Sequence, residues 1–170
     1  MANIQFAFPS GVDLYVAGNI TSQTLTVPSG TITNAMVSAS AAIDSTKLVH
    51  RYKNTVQVQD STANAAVGRL LIHRAKAAGT LIAFDVGSVT AATGDSTTTV
   101  DLKKNGSTVL TGTIQLDSGN TAFVTEAGTF TATPYVAGDV FEFHITAVSA
   151  GTGTLPKGVF GTLSCDEPTS

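Results

Sequence analysis

The sequence predicts an all-β protein: an antiparallel β-sandwich of about eight strands, a jelly roll, preceded by an extended N-terminal arm and a short helical connector. Three observations carry this reading. Charged residues make up only 12% of the 170-residue chain, about half the ~25% usual in soluble domains. Their place is taken by Thr, Ser, Gly and Ala; Thr is β-branched and favours strands, while Gly supplies turns. Runs of alternating apolar and polar residues then succeed one another from 51 to 165, with turn signals at the spacing of a sandwich. No long helical pattern separates them, which argues against a parallel α/β sheet. An immunoglobulin-like sandwich lacking the Cys…Trp…Cys signature is the alternative.

Residues 1–32 hold short extended runs at 4–8, 13–17 and 24–27, separated by Pro9-Ser10-Gly11, Gly18-Asn19 and Pro28-Ser29-Gly30. These runs are too short and too punctuated to build a core, so they read as an arm. Ile4, Phe6, Phe8, Leu14, Tyr15 and Val16 would each be costly to leave in water, at about 25 cal/mol per Å² of apolar area. They are the candidate capsid or subunit contacts, with packing against their own domain as the other option. Residues 33–50 read as a connector. Thr33 and Asp44 are plausible N-caps for helical turns at 34–38 and 45–49, anchored by Met36, Val37, Ile43 and Leu48.

Within 51–165, strands are expected at 54–59, 69–76, 80–90, 97–103, 108–116, 121–125, 129–133, 140–146 and 158–165. Asn105-Gly106 between two alternating runs is a strong hairpin signal, because both residues tolerate positive φ. Alternation puts Phe141, Phe143 and Ile145 on one face, and Glu142, His144 and Thr146 on the other. Residues 166–170 read as a C-terminal tail.

No catalytic pattern emerges, and the chain is not expected to be an enzyme. Gly-x-Ser-x-Gly is absent, and Asp85, Asp101, Asp117, Glu126, Asp139 and Glu142 are scattered singly, where a glycosidase needs two carboxyls across a cleft. Gly151-Thr152-Gly153-Thr154 lacks the lysine and following helix of a phosphate loop. His73 and His144 sit mid-strand without a local metal-pair spacing and read as half-exposed strand histidines. Asp95 beside Gly94, and Asp117-Ser118-Gly119-Asn120, read as turn formers with no EF-hand spacing. Cys165, the one cysteine, excludes an internal disulfide and a multi-cysteine zinc site and reads as a small buried hydrophobe. Neither a metal nor a cofactor is expected.

The net charge of −3 is unevenly spread. Residues 47–76 carry Lys47, Arg51, Lys53, Arg69, Arg74 and Lys76 against Asp60, and residues 77–170 carry nine acids against Lys103, Lys104 and Lys157. Such asymmetry can steer one copy against another or against a partner. The basic stretch is too sparse, and aromatics too few, for a nucleic-acid partner. No run approaches the ~20 apolar residues of a membrane helix, and the first residues lack a signal-peptide pattern, so synthesis in the cytoplasm is expected. So low a surface charge is best explained if neighbours cover much of that surface.

Two stretches carry a resemblance. Gly30-Thr31-Ile32-Thr33-Asn34-Ala35-Met36-Val37 with Ala41-Ala42-Ile43-Asp44-Ser45-Thr46-Lys47-Leu48-Val49-His50 is one. The other is Val100-Asp101-Leu102-Lys103-Lys104-Asn105-Gly106-Ser107-Thr108-Val109-Leu110, together with Ala137-Gly138-Asp139-Val140-Phe141, the turn at 150–154 and the closing run 158–163. Over roughly residues 30–165 the chain resembles tailed-bacteriophage virion proteins, and among them head decoration (cement) proteins with a jelly-roll domain. The resemblance implies a homotrimer on the capsid exterior that bridges neighbouring major capsid protein subunits, with the arm as the capsid contact. A different class, a receptor- or carbohydrate-binding module of a phage tail or fibre, would instead show an exposed aromatic cleft or a calcium site near 94–95 and 117–120.

Overall fold

The computed structural model describes residues 49–168. Among these residues there is no helix, and ten strands run β1 (Val49–Gln57), β2 (Gly68–Arg74), β3 (Gly79–Thr90), β4 (Thr97–Lys104), β5 (Ser107–Thr108), β6 (Ile114–Leu116), β7 (Glu126–Ala127), β8 (Pro134–Tyr135), β9 (Val140–Ser149) and β10 (Lys157–Pro168). They form two antiparallel sheets. One is ordered β1-β10-β3-β7 with β8 also on β3; the other is ordered β2-β9-β4-β5 with β6 also on β4.

Period-2 alternation explains how the sheets face each other. On β1, His50, Tyr52, Asn54 and Val56 lie opposite Glu167, Cys165, Leu163 and Gly161 of β10, so all eight share the inner face. On β9, Phe141, Phe143 and Ile145 are buried while Thr146 is exposed, as the alternation requires. Phe84, Val86, Val159 and Leu163 from the first sheet and Val100, Leu102, Phe141, Phe143 and Ile145 from the second are all 0–1% exposed. They form one core cluster. Phe84 meets Phe143 edge to face across the gap, at a centroid distance of 5.9 Å.

The structure corrects several sequence-based boundaries. The sandwich begins at Val49, so the helical turn expected at 45–49 ends in strand at its last residue. It closes at Pro168 rather than 165, and most of the expected tail is strand. The single strand expected at 108–116 is two short ones, because Leu110 leaves β4 to bridge Phe130. The strands expected at 121–125 and 129–133 are loop: Phe123 has φ of 64°, outside the β region, and apart from the isolated Phe130 bridge the ladder forms only at Glu126–Ala127 and Pro134–Tyr135. Threonine-rich alternation there had no cross-strand partner of matching length. The arm at 1–32, with Ile4, Phe6, Phe8, Leu14, Tyr15 and Val16, and the connector up to residue 48 lie outside the described residues.

The Asn105-Gly106 hairpin is present, with φ of 51° and 85°. Its asparagine also does something the dipeptide pattern does not announce. Val140 N–H donates to Asn105 Oδ1 (2.9 Å) and Asn105 Nδ2 donates to Asp139 Oδ1 (2.7 Å), pinning the turn to the start of β9. Asp139 also accepts from Val136 N (3.0 Å) and faces Lys104 Nζ at 3.6 Å. The Val136 amide above all, then Asn105 and Lys104, hold its carboxyl below the usual aspartate range despite its burial. A depressed pKa adds stability that is present above the unfolded value of about 4 and is lost as pH falls through the folded value. Asp139→Asn is therefore expected to flatten the fall in Tm below about pH 4, as read by thermal unfolding between acid and neutral pH. An unchanged acid limb would show that Asp139 does not contribute.

Candidate functional site

Two regions depart from an ordinary sandwich surface and core. The first is a set of exposed apolar residues at the two opposite edges of the sandwich, beside β2 and before β7. Val67 and Leu71 are 65% and 58% exposed and Leu70 is 37% exposed, on or beside β2, an edge strand. Phe123 and Val124, 71% and 55% exposed, tip the loop before β7. A positive φ on a bulky residue costs roughly 1–2 kcal/mol, yet the loop keeps it. The Phe123 N–H donates to Ser88 O (2.8 Å) and the Val124 N–H to Thr121 O (3.1 Å). The backbone is thus fastened to β3 while the ring is turned into solvent. Strain that presents an aromatic ring is a mark of recognition sites.

The second region lies between the sheets at the end where β1, β2 and β10 meet. His73, 10% exposed, sits opposite Phe141 after a register shift in β2. Its ring is 6.0 Å from those of Tyr52 and Phe141 and 6.4 Å from that of Tyr135. With Asn54 Nδ2 donating to His73 Nδ1 (3.1 Å), His73 Nε2 carries the proton and donates to Glu167 Oε1 (2.7 Å). The Tyr135 hydroxyl donates to the same oxygen (3.1 Å), and the Lys76 amide donates to Glu167 Oε2 (3.3 Å). Gly79 makes room for that hydroxyl, since a Cβ there would strike Tyr135.

Burial pushes the Glu167 carboxyl upward, but hydrogen bonds from His73, Tyr135 and Lys76 outweigh it and leave the group below the ordinary glutamate value. Tyr135 is driven far above its usual range, by burial first and then by the adjoining Cys165 thiol and Glu167 carboxylate. Cys165, fully buried, is also raised: by burial, against a lowering contact with Tyr135, and by the charges of Glu167 and Asp166. The thiol is therefore protonated at neutral pH. A His73 ring nitrogen, Cys165 Sγ and a Glu167 oxygen all lie within 4.8 Å of one another.

The residues weighed from the sequence fall differently. His73 is not the half-exposed strand histidine expected but an inward, partnered one. His144 faces the other way, on the outer surface, with Glu142 Oε2 at 3.4 Å, so adjacency of β2 and β9 brings the two histidines to opposite faces. Cys165 is buried as expected, but beside acid and imidazole rather than hydrocarbon alone. The Asp95 carboxylate accepts from Thr152 N–H and its hydroxyl (2.9 Å for the latter), and that of Asp117 accepts from Gly119 N (2.8 Å). Both act as turn caps. An open depression of about 230 Å³ between residues 111–115 and 126–129 contains one titratable group, Glu126, which accepts from Asn120 Nδ2 (2.8 Å). Glu167, the hub of the buried cluster, was missed because a charged residue after Leu163 and Cys165 looked like a tail. The signal was present, for it continues their every-second-residue spacing. No protein-family model matches the chain, and no curated protein matches it.

Proposed function

We propose that the chain is a virion structural protein: a jelly-roll decoration (cement) protein that binds the outer surface of a tailed-phage capsid as a homotrimer. In this reading the arm, through Ile4, Phe6, Phe8, Leu14, Tyr15 and Val16, contacts the major capsid protein. The observation that carries it is the exposed apolar side chains at both edges of the sandwich, on a chain with so few charges. Phe123, Val124, Val67 and Leu71 stand in solvent, where apolar surface buried against a neighbour gains about 25 cal/mol per Å². The jelly-roll assignment draws support from the strand orders 1-10-3-7 and 2-9-4-5, in which consecutive strands β1 to β4 alternate between sheets, as two interlocked Greek keys require.

The mechanism is physical. A protein that binds only the assembled lattice stabilises that state by mass action, and three arms on one trimer add avidity without a strong single contact. Capsid rupture then requires stripping apolar seams as well as separating capsid subunits. A chain lacking residues 2–30 is expected to keep the sandwich, read by thermal unfolding, and to stop co-sedimenting with capsids of the phage that encodes it. Undiminished binding by that truncation would remove the arm from the model.

The Phe123 loop makes a separate prediction. Phe123→Gly is expected to leave the chain equally stable or to raise its stability by about 1 kcal/mol, through relief of the positive-φ strain. The same change should weaken self-association or capsid binding, read by light scattering and co-sedimentation. A loss of stability with unaltered assembly would assign Phe123 to the fold instead of to recognition.

A further inference from the structure

We propose that His73, Cys165 and Glu167 are three ligands of a zinc-class divalent metal site, with His50 supplying the fourth, closing β1, β2 and β10 together between the sheets. This stands apart from the capsid reading and does not rest on it. The inner face of a sandwich is normally apolar, and burying an imidazole, a carboxylate and a thiol side by side there is costly unless they are paired or coordinate an ion. Two strands from opposite sheets, β2 with His73 and β10 with Cys165 and Glu167, deliver them to one point, with donor atoms mutually within 4.8 Å.

Zn–N and Zn–S bonds of about 2.1 and 2.3 Å put tetrahedral ligand atoms about 3.4–3.7 Å apart. The cluster therefore needs to contract by about an ångström on its long sides. The His73–Glu167 hydrogen bond of 2.7 Å opens by less than that as its proton is replaced by metal. Nitrogen, thiolate and carboxylate together select zinc or a similar borderline ion, not calcium or magnesium.

Two further observations point the same way. His50 is the cross-strand partner of Glu167, on the same face, and its buried Nε2 has no hydrogen-bond partner among the described residues; an orphaned buried nitrogen calls for an explanation. Asn54 sits at His73 Nδ1. When Nε2 holds a metal, Nδ1 must carry the proton, and the Asn54 amide turned over offers its oxygen as the acceptor that metal-bound histidines commonly use. The Cys165 thiol proton leaves to solvent buffer on binding, so occupancy rises with pH.

The test uses the full chain, stripped with EDTA and titrated with Co²⁺. One equivalent should saturate an intense near-ultraviolet thiolate-to-cobalt band, and Zn²⁺ should abolish the band by displacement. Zn²⁺ at a hundredfold excess over its Kd should raise Tm by roughly 5–10 °C. Cys165→Ser, shown folded by circular dichroism, should lose the band. Glu167→Gln and His50→Ala should each weaken binding on the order of 100-fold, and Asn54→Ala about 10–100-fold. A folded wild-type chain with no band overturns the proposal, as does a band that survives Cys165→Ser. Unchanged affinity in His50→Ala overturns the assignment of the fourth ligand.

Discussion

Glu167→Ala is expected to destabilise the metal-free chain by about 3–5 kcal/mol, lowering Tm by roughly 6–20 °C. Glu167 is 2% exposed and accepts from His73, Tyr135 and Lys76. Truncation leaves the largely buried His73 and Tyr135 donors, and the Lys76 amide at the rim of the cluster, without acceptors as well as a hole, and unsatisfied buried donors cost about 1–3 kcal/mol each before relaxation. Glu167→Gln keeps shape and one acceptor oxygen, so a smaller loss of about 1–2 kcal/mol is expected. The neighbour supplies the control. Asp166 forms a bidentate pair with Arg51 at 2.8 and 2.9 Å, but on the outer face, where the Arg51 side chain is 55% exposed. Exposed pairs of this kind contribute little, so Arg51→Ala should leave Tm almost unmoved. Equal effects of the two substitutions in thermal and urea unfolding would show that burial does not set the worth of the Glu167 network.

That contrast also marks what the sequence could reveal. Alternation is local, so strands with long partners, such as β3, β4, β9 and β10, were legible to within a few residues, and Asn105-Gly106 announced its own turn. Pairing is not local. Whether the threonine-rich segments at 121–125 and 129–133 become strands depends on which edge they meet; ladder pairing with β3 is confined to the dipeptides that follow them, and Phe130 makes only an isolated bridge to Leu110. The buried cluster was hidden for the same reason. His73 and Glu167 are 94 positions apart, and nothing in either neighbourhood says that β2 and β10 converge. Cys165 was legible as buried, but its companions were not. The register shift in β2 between Leu71 and His73 is an irregularity that no periodic pattern anticipates. Where a strand bulges, the residue after the bulge is re-aimed, and here that residue is the imidazole.

Gly161→Ala is expected to destabilise the sandwich by about 3 kcal/mol, the upper end of what overpacking usually costs. Gly161 lies on the inner face of β10 between Val56 of β1 and Val86 of β3. A methyl group there would run into the Phe143 ring, with Phe84 Cε2 a further 3.4 Å contact. The ring cannot step aside, because Phe84 holds its edge and both side chains are fully buried. Glycine weakens a strand through backbone entropy, so its presence in the middle of the longest pairing is explained only by the ring that fills its place. The two residues are halves of one packing unit. Phe143→Leu alone should cost about 1–3 kcal/mol by leaving a cavity, and the double substitution should cost less than the sum, with a coupling of about 1–2 kcal/mol as the new methyl occupies vacated space. Urea unfolding of the four chains closes the cycle. Additivity to within about 0.5 kcal/mol would mean that backbone adjustment, not the aromatic ring, absorbs the alanine, and that the core between the sheets is looser than its closed packing implies.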